Sequence, residues 1–239
     1  MTERSSNDAA RIRDNLARVR EHIAAACAAA GRSPQEVTLL GVTKTVDPAR
    51  VQALLDAGVT QIGENRVQEF LEKKPALRLD GITTHLIGHL QSNKVSKIVG
   101  EVDMIQSVDS ERLARLIDRE SEKKGIVTDL LIEVNIGRDD AKTGLDPDQL
   151  EPLLEAASTL PHIRVRGLMT VPPILDTERE KRKVFMNMRK LFIDIRDKKI
   201  DNIDMRILSM GMSGDFVEAI LEGSTMVRVG SALFGARQY

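Results

Sequence analysis

Asp129-Leu130-Leu131-Ile132-Glu133-Val134-Asn135-Ile136 is the stretch on which the fold turns. It is apolar almost throughout, as expected of a parallel strand covered on both faces; a strand with one wet face would alternate. Seven other short runs share its character: Thr38–Val42, Gln61–Gly63, Thr83–Ile87, Met104–Val108, Ile163–Met169, Met205–Ser209 and Met226–Val229. Helical patterns separate them, at about 48–57, 65–74, 92–99, 110–123, 147–158, 178–198 and 214–222, with a short one near 231–235. Asp47-Pro48 and Asp146-Pro147 each read as an N-cap followed by proline at the first helical position. The longest helix presents Val184, Phe185, Met188, Leu191, Phe192 and Ile195 on one side.

Strands and helices that alternate through short loops imply right-handed crossovers, and eight such units close most naturally into a (β/α)8 TIM barrel. The alternative is an open doubly wound sheet, but no GxGxxG follows the first strand. Ahead of the barrel, Ile12, Leu16, Val19, Ile23, Ala26 and Ala30 recur at spacings of four and three, which predicts an additional N-terminal helix over about 6–30. Gly31 stops it, and Ser33-Pro34-Gln35-Glu36 caps a short helical turn. No low-complexity tract or linker interrupts the chain, so one domain is expected over 1–239, with the barrel at about 37–235.

Composition narrows the function. A chain of 239 residues can bury roughly 70–75 % of its unfolded surface and needs no metal or disulfide to hold a core. The single Cys27 excludes an internal disulfide framework and a cysteine-rich zinc site, and neither His85 nor His89 has a partner at metal-ligand spacing, so no metal is expected. With 35 basic against 36 acidic residues and 3 % aromatics, nucleic acid is not an expected partner. No apolar run is long enough to span a membrane, and the polar N-terminus does not read as a signal peptide. A cytoplasmic protein is expected.

Active sites of such barrels sit at the C-terminal ends of the strands. Strands seven and eight run into Ser209-Met210-Gly211-Met212-Ser213-Gly214-Asp215 and Arg228-Val229-Gly230-Ser231, both rich in glycine or serine and both leading into a helix. Backbone N–H groups at helix starts, close approach at glycine and a serine hydroxyl make a phosphate cup; the plainer reading makes Ser213 and Ser231 N-caps and the glycines turns. Lys44 lies just past strand one, in phase with Leu40 and Val42. If those face the interior, Lys44 points into the mouth, where a partly dry site lowers the pKa of an amine and lets it form a Schiff base; otherwise it is a surface lysine. Arg228 sits inside an apolar strand on the opposite face from Val227 and Val229. An inward arginine needs an acceptor, either an acid such as Glu133 or a ligand. His85, within a strand, reads as a hydrogen-bonded core histidine or an acid–base group. Glu178–Lys183 reads as a solvated helix face.

Six stretches together resemble one family. They are LLGVTKT (39–45), IGENRVQE (62–69), HLIGHLQSNK (85–94), GLMT (167–170), LSMGMSGDFVEAI (208–220) and GSTMVRVGSALFGAR (223–237). The chain is similar along essentially its whole length to the pyridoxal phosphate (PLP) homeostasis proteins, which resemble the barrel domain of alanine racemase. The resemblance implies that Lys44 forms an internal aldimine with PLP. It implies further that Ser209, Met210, Gly211 and Ser213, with Gly230 and Ser231, hold the phosphate, and that Arg228 faces the pyridine nitrogen. Asn65 would lie near the cofactor, and Lys142 would be an accessory lysine. An arginine at that nitrogen keeps it unprotonated and weakens the ring as an electron sink. Two positions depart from the family pattern: Val46 stands where many members have a second lysine, and Arg66 where a tyrosine is common.

A PLP racemase needs acid–base groups on both faces of the substrate carbon. The related racemases take one from a second domain, for which the chain leaves no room after the eighth unit, and its only tyrosine is Tyr239. The expectation is therefore a monomeric protein of PLP homeostasis that holds and delivers the cofactor, possible recipients being apo PLP-dependent enzymes. The competing readings are a PLP-dependent racemase or decarboxylase, and a barrel enzyme in which Lys44 attacks a sugar phosphate.

Overall fold

The structure, a computed structural model, describes residues 3–139 and 141–235. Arg237 of the final motif and Tyr239 lie outside the described residues. Eight strands alternate with helices: β1 Thr38–Val42, β2 Gln61–Glu64, β3 Thr83–Leu86, β4 Met104–Val108, β5 Thr128–Glu133, β6 Ile163–Met169, β7 Ile203–Met212 and β8 Met226–Val229. All neighbours are parallel, and β1 pairs with β8, so the sheet closes on itself. The expected (β/α)8 barrel with an added N-terminal helix is the fold.

The helices are α1 Glu3–Ala29, α2 Pro48–Asp56, α3 Val67–Lys73, α4 Val95–Ile98, α5 Glu111–Lys124, α6 Leu150–Ser158, α7 Glu178–Lys198, α8 Phe216–Leu221 and α9 Ser231–Phe234. Their starts follow local chemistry. The Asp47 side chain accepts from the Arg50 N–H at the head of α2, and Thr177 with Glu180 forms a capping box on α7. Gly125 ends α5 in the left-handed conformation.

The last barrel helix, α9, is a single turn and cannot cover the outer wall of β8 and β1. Helix α1 takes that place. Its Ile12, Leu16, Val19 and Ile23 are buried in one apolar cluster with Val227 and Val229 of β8, Val51 and Leu54 of α2, Phe216 of α8 and Leu233 of α9. The Asn15 side-chain amide donates to the Leu233 carbonyl at 2.8 Å and ties α1 to α9. The remaining helices pack on the barrel through a second, larger cluster.

Inside the barrel, Leu40, Val42 and Met226 form one small apolar cluster and Met104, Leu131 and Met169 another. Gly167 of β6 is required for the sheet: its φ is +150°, and a Cβ there would lie 1.8 Å from the Ile207 carbonyl oxygen. Only glycine allows β6 and β7 to approach so closely. Among the described residues no helix is long and apolar enough to cross a membrane.

Candidate functional site

A cavity of about 1310 Å³ opens at the C-terminal ends of the strands. Lys44 after β1, Asn65 after β2, Ser213 after β7, Arg228 in β8, and Gly230 and Ser231 at the start of α9 all line it. Leu40 and Val42 face the barrel interior, and the half-buried Lys44 follows them in phase to the mouth.

The turn that carries Lys44 is clamped on both sides. The buried Lys73 Nζ donates to the Thr43 carbonyl (2.8 Å), to Glu64 Oε1 (2.7 Å) and to Glu69 Oε1 (2.6 Å). The Thr43 hydroxyl donates to Glu64 Oε1 at 2.8 Å, and the Thr45 N–H donates to Glu69 Oε1. Thr45 itself is left-handed, with φ +62°. A buried ion pair is weak evidence of net stability, because desolvation offsets the attraction; what it fixes here is the backbone on either side of Lys44. Burial pushes the Glu64 carboxyl up, against the pull of Lys73. Glu69 is less buried; burial opposes, yet Lys73 and the Thr45 N–H hold its carboxyl below its ordinary value. Glu64 and Glu69 fall within the IGENRVQE stretch, but no role is read for them from the sequence, and Lys73 lies outside it.

Asn65 is held by its neighbour's backbone. A Cβ on Gly88 would lie 2.3 Å from the Asn65 carbonyl oxygen, so the loop after β3 presses directly on the one after β2.

On the opposite wall Ser213 Oγ accepts from the N–H groups of Gly230 (3.1 Å) and Ala232 (3.3 Å). The two loops after β7 and β8 thus converge on one oxygen, with both backbone donors aimed at it. The run Ser209–Gly211 belongs to the strand, and it does not line the cavity. Ser209 points into the barrel, Met210 packs outward into the larger core cluster, and Gly211, with φ +93°, lies against Phe216 and Ala219 of α8.

Arg228 is only 3 % exposed. It donates from Nη1 to Ser209 Oγ and from Nη2 to the Thr170 carbonyl, each at 2.8 Å. Among the described residues no carboxylate forms an ion pair with it; Glu133 and Asp215 act on it only at longer range. Burial lowers its pKa to about 10, and those two carboxylates oppose the shift. Burial raises the carboxyls of Glu133 and Asp215 in turn. Glu133 accepts from the Thr143 hydroxyl at 2.6 Å. Lys142, next to Thr143, is half-buried in the loop after β5 and does not line the cavity. His85 is buried in the interior and hydrogen-bonded at both ring nitrogens. His89 is half exposed, 3.6 Å from Asp109. Among the described residues no cluster of His, Cys, Asp and Glu suits a metal ion.

This arrangement joins a half-buried amine, a buried guanidinium and a pair of convergent backbone donors around one cavity. It suits an anionic ligand that reaches both the amine and the guanidinium. Comparison with known proteins agrees. Residues 8–238 match the family model of the alanine racemase N-terminal domain. The chain is 43 % identical over 226 residues to the pyridoxal phosphate homeostasis protein of Aquifex aeolicus, covering 95 % of this chain and 98 % of that one. A solved structure of an unknown protein from Bifidobacterium adolescentis superposes with a TM-score of 0.92 at 40 % identity, covering 98 % of this chain and 97 % of that one. PipY of Synechococcus elongatus, solved with PLP bound, gives 0.83 at 35 % identity, covering 94 % and 100 %. The chain belongs to the alanine racemase N-terminal domain family and, within it, to the pyridoxal phosphate homeostasis proteins.

Proposed function

We propose that this protein binds pyridoxal 5'-phosphate at the barrel mouth and serves in its homeostasis in the cytoplasm, as a monomer that holds the cofactor and releases it to apo enzymes. The observation that carries this reading is the single cavity shared by Lys44, Arg228 and the two loops bound together through Ser213. The residues present fit the group. The Gly230 and Ala232 N–H groups donate to Ser213 Oγ and so orient that hydroxyl, whose own proton would go to a phosphate oxygen. Arg228 has five N–H donors, and among the described residues two of them are bonded, to Ser209 and Thr170. When bound, PLP supplies an aldehyde that condenses reversibly with a primary amine.

In this reading Lys44 is the covalent anchor, and the Lys73–Glu64–Glu69 clamp orients it. Ser213, Gly230 and Ser231 bind the phosphate end, Asn65 lies alongside, and Arg228 donates to the ring nitrogen and leaves it unprotonated. Such a ring stabilises a carbanion poorly, which suits retention over turnover. The test is a visible spectrum of the purified protein with added PLP, before and after borohydride, with mass spectrometry of the labelled peptide. Wild type should give a yellow band and a reduced label on the peptide that contains Lys44. Lys44→Ala should lose the label and keep the fold. A colourless protein that reduction traps only with a sugar phosphate would replace this reading with the aldolase-like one, and steady interconversion of amino-acid enantiomers would replace it with the racemase.

A further inference from the structure

Behind Arg228 the barrel interior carries a chain of hydrogen bonds whose directions can be worked out from its first member. A guanidinium donates and never accepts. Ser209 Oγ therefore accepts from Arg228 Nη1, and its own proton goes to Gln106 Oε1, at 2.8 Å in each case. With that oxygen used, the Gln106 amide nitrogen faces Met226 Sδ (3.2 Å) and His85 Nδ1 (2.9 Å). Nδ1 is thus an acceptor, the ring proton sits on Nε2, and Nε2 donates to Gln61 Oε1 at 3.1 Å. The chain runs through β8, β7, β4, β3 and β2; β7 and β4 are not neighbours in the sheet, so the Ser209–Gln106 bond spans the lumen. Ser209, Gln106 and His85 are at most 1 % exposed.

We infer that Ser209, Gln106 and His85 are positioning residues, a one-way donor relay that holds the Arg228 guanidinium from behind and leaves its remaining N–H groups for an acceptor in the cavity. This deepens the cofactor reading and rests on it only where that acceptor is the PLP ring nitrogen. A second proton on His85 would set its Nδ1–H against the Gln106 amide donor and break the chain there; burial prevents this by lowering the ring's pKa to about 4.

The relay makes one claim that needs no cofactor. In the wild-type protein at neutral pH, nitrogen-15 spectra of the histidine rings should show His85 neutral with its proton on Nε2. A proton on Nδ1 would overturn the relay whatever the protein binds. The second arm uses the full-length protein with PLP. Ser209→Ala and Gln106→Leu should shift the visible maximum of the bound chromophore and weaken retention by about tenfold, the size expected for losing a hydrogen bond to a charged group. The borohydride label at Lys44 should persist in both, and Ser209→Thr, which keeps the hydroxyl, should behave as wild type. Folded Ser209→Ala with an unchanged maximum and affinity would overturn the positioning role. Absence of any band or label in the wild type would instead refute the cofactor reading and leave the histidine measurement to decide the relay.

Discussion

At the scale of single residues, the site depends on buried polar groups held by specific partners from the strands and from α3. His85 is the sharpest case. Its pKa is about 4 in the folded protein, because burial disfavours the imidazolium, against an ordinary 6.5. As pH falls below 6.5 the unfolded chain takes up a proton that the folded chain refuses until about 4. Stability is therefore fully present above 6.5 and declines across that window, by about 3 kcal/mol for this residue. Denaturant unfolding of wild type and His85→Gln at several pH values checks it. The difference between the two should grow from pH 4 to 6.5, and a constant difference would contradict the assignment. Lys73 makes a second case. Lys73→Met leaves Glu64 charged, buried and without its ammonium, which should cost about 3–5 kcal/mol. Glu64→Gln in that background should recover part of the loss, because it removes the stranded charge; no recovery in a double-mutant cycle would mean that the clamp is not a coupled unit.

At the scale of elements, Gly167→Ala should destabilise by more than about 3 kcal/mol, since a Cβ meets the Ile207 carbonyl in a backbone conformation closed to other residues. Thermal unfolding measures it, and a loss under about 1 kcal/mol would mean that β6 and β7 can separate at this point. Much of the element pattern could be read in advance. Thr38–Val42, Met104–Val108, Ile163–Met169 and Met226–Val229 have the same bounds in the sequence reading and in the structure, each mainly apolar run being followed directly by Thr, Asp or Gly. The decisive run, read to Ile136, ends as a strand at Glu133: the Val134 N–H still donates to the Met169 carbonyl, but Val134 then bridges with Leu145 outside the ladder, and the Asn135 side chain turns the chain back onto Asp139. The seventh strand, read as Met205–Ser209, extends to Met212, because Ser209 and Met212 pair with Met226 and Arg228 of β8 across an irregular register that composition does not reveal. The helix read over 92–99 is a 3-10 turn followed by one α-turn. Within the site, Lys44, Asn65, Ser213, Arg228, Gly230 and Ser231 were legible from their places at strand ends and from the family motifs. Glu64 and Lys73 were not, since they meet only where α3 packs back on the ends of β1 and β2, and Gln106 was not, since its partners Ser209, His85 and Met226 lie on other strands that the closed barrel brings together.

At the scale of the whole molecule, the seam where β8 meets β1 is covered by a helix from the far end of the chain. Among the described residues the helix after β8 is the single turn α9, and α1 supplies the cover through Ile12, Leu16, Val19 and Ile23. Arg228, Gly230 and Ser231 all belong to β8 and its following turn, so the same cover backs half of the candidate site. Leu16 is 2 % exposed, and Leu16→Ala should cost about 2–5 kcal/mol, the transfer term plus an unfilled cavity. Because every strand of a closed sheet relies on both neighbours, that loss should appear as a lower midpoint of one cooperative transition. Hydrogen exchange should accordingly quicken in β4 and β5, on the far side of the barrel, as much as in β1 and β8 wherever exchange requires global opening. Saturating PLP should raise the midpoint of the variant and of the wild type alike, by mass action on the folded state. Faster exchange confined to α1, with β1 and β8 protected as in wild type, would mean that the barrel closes and holds its site without this helix.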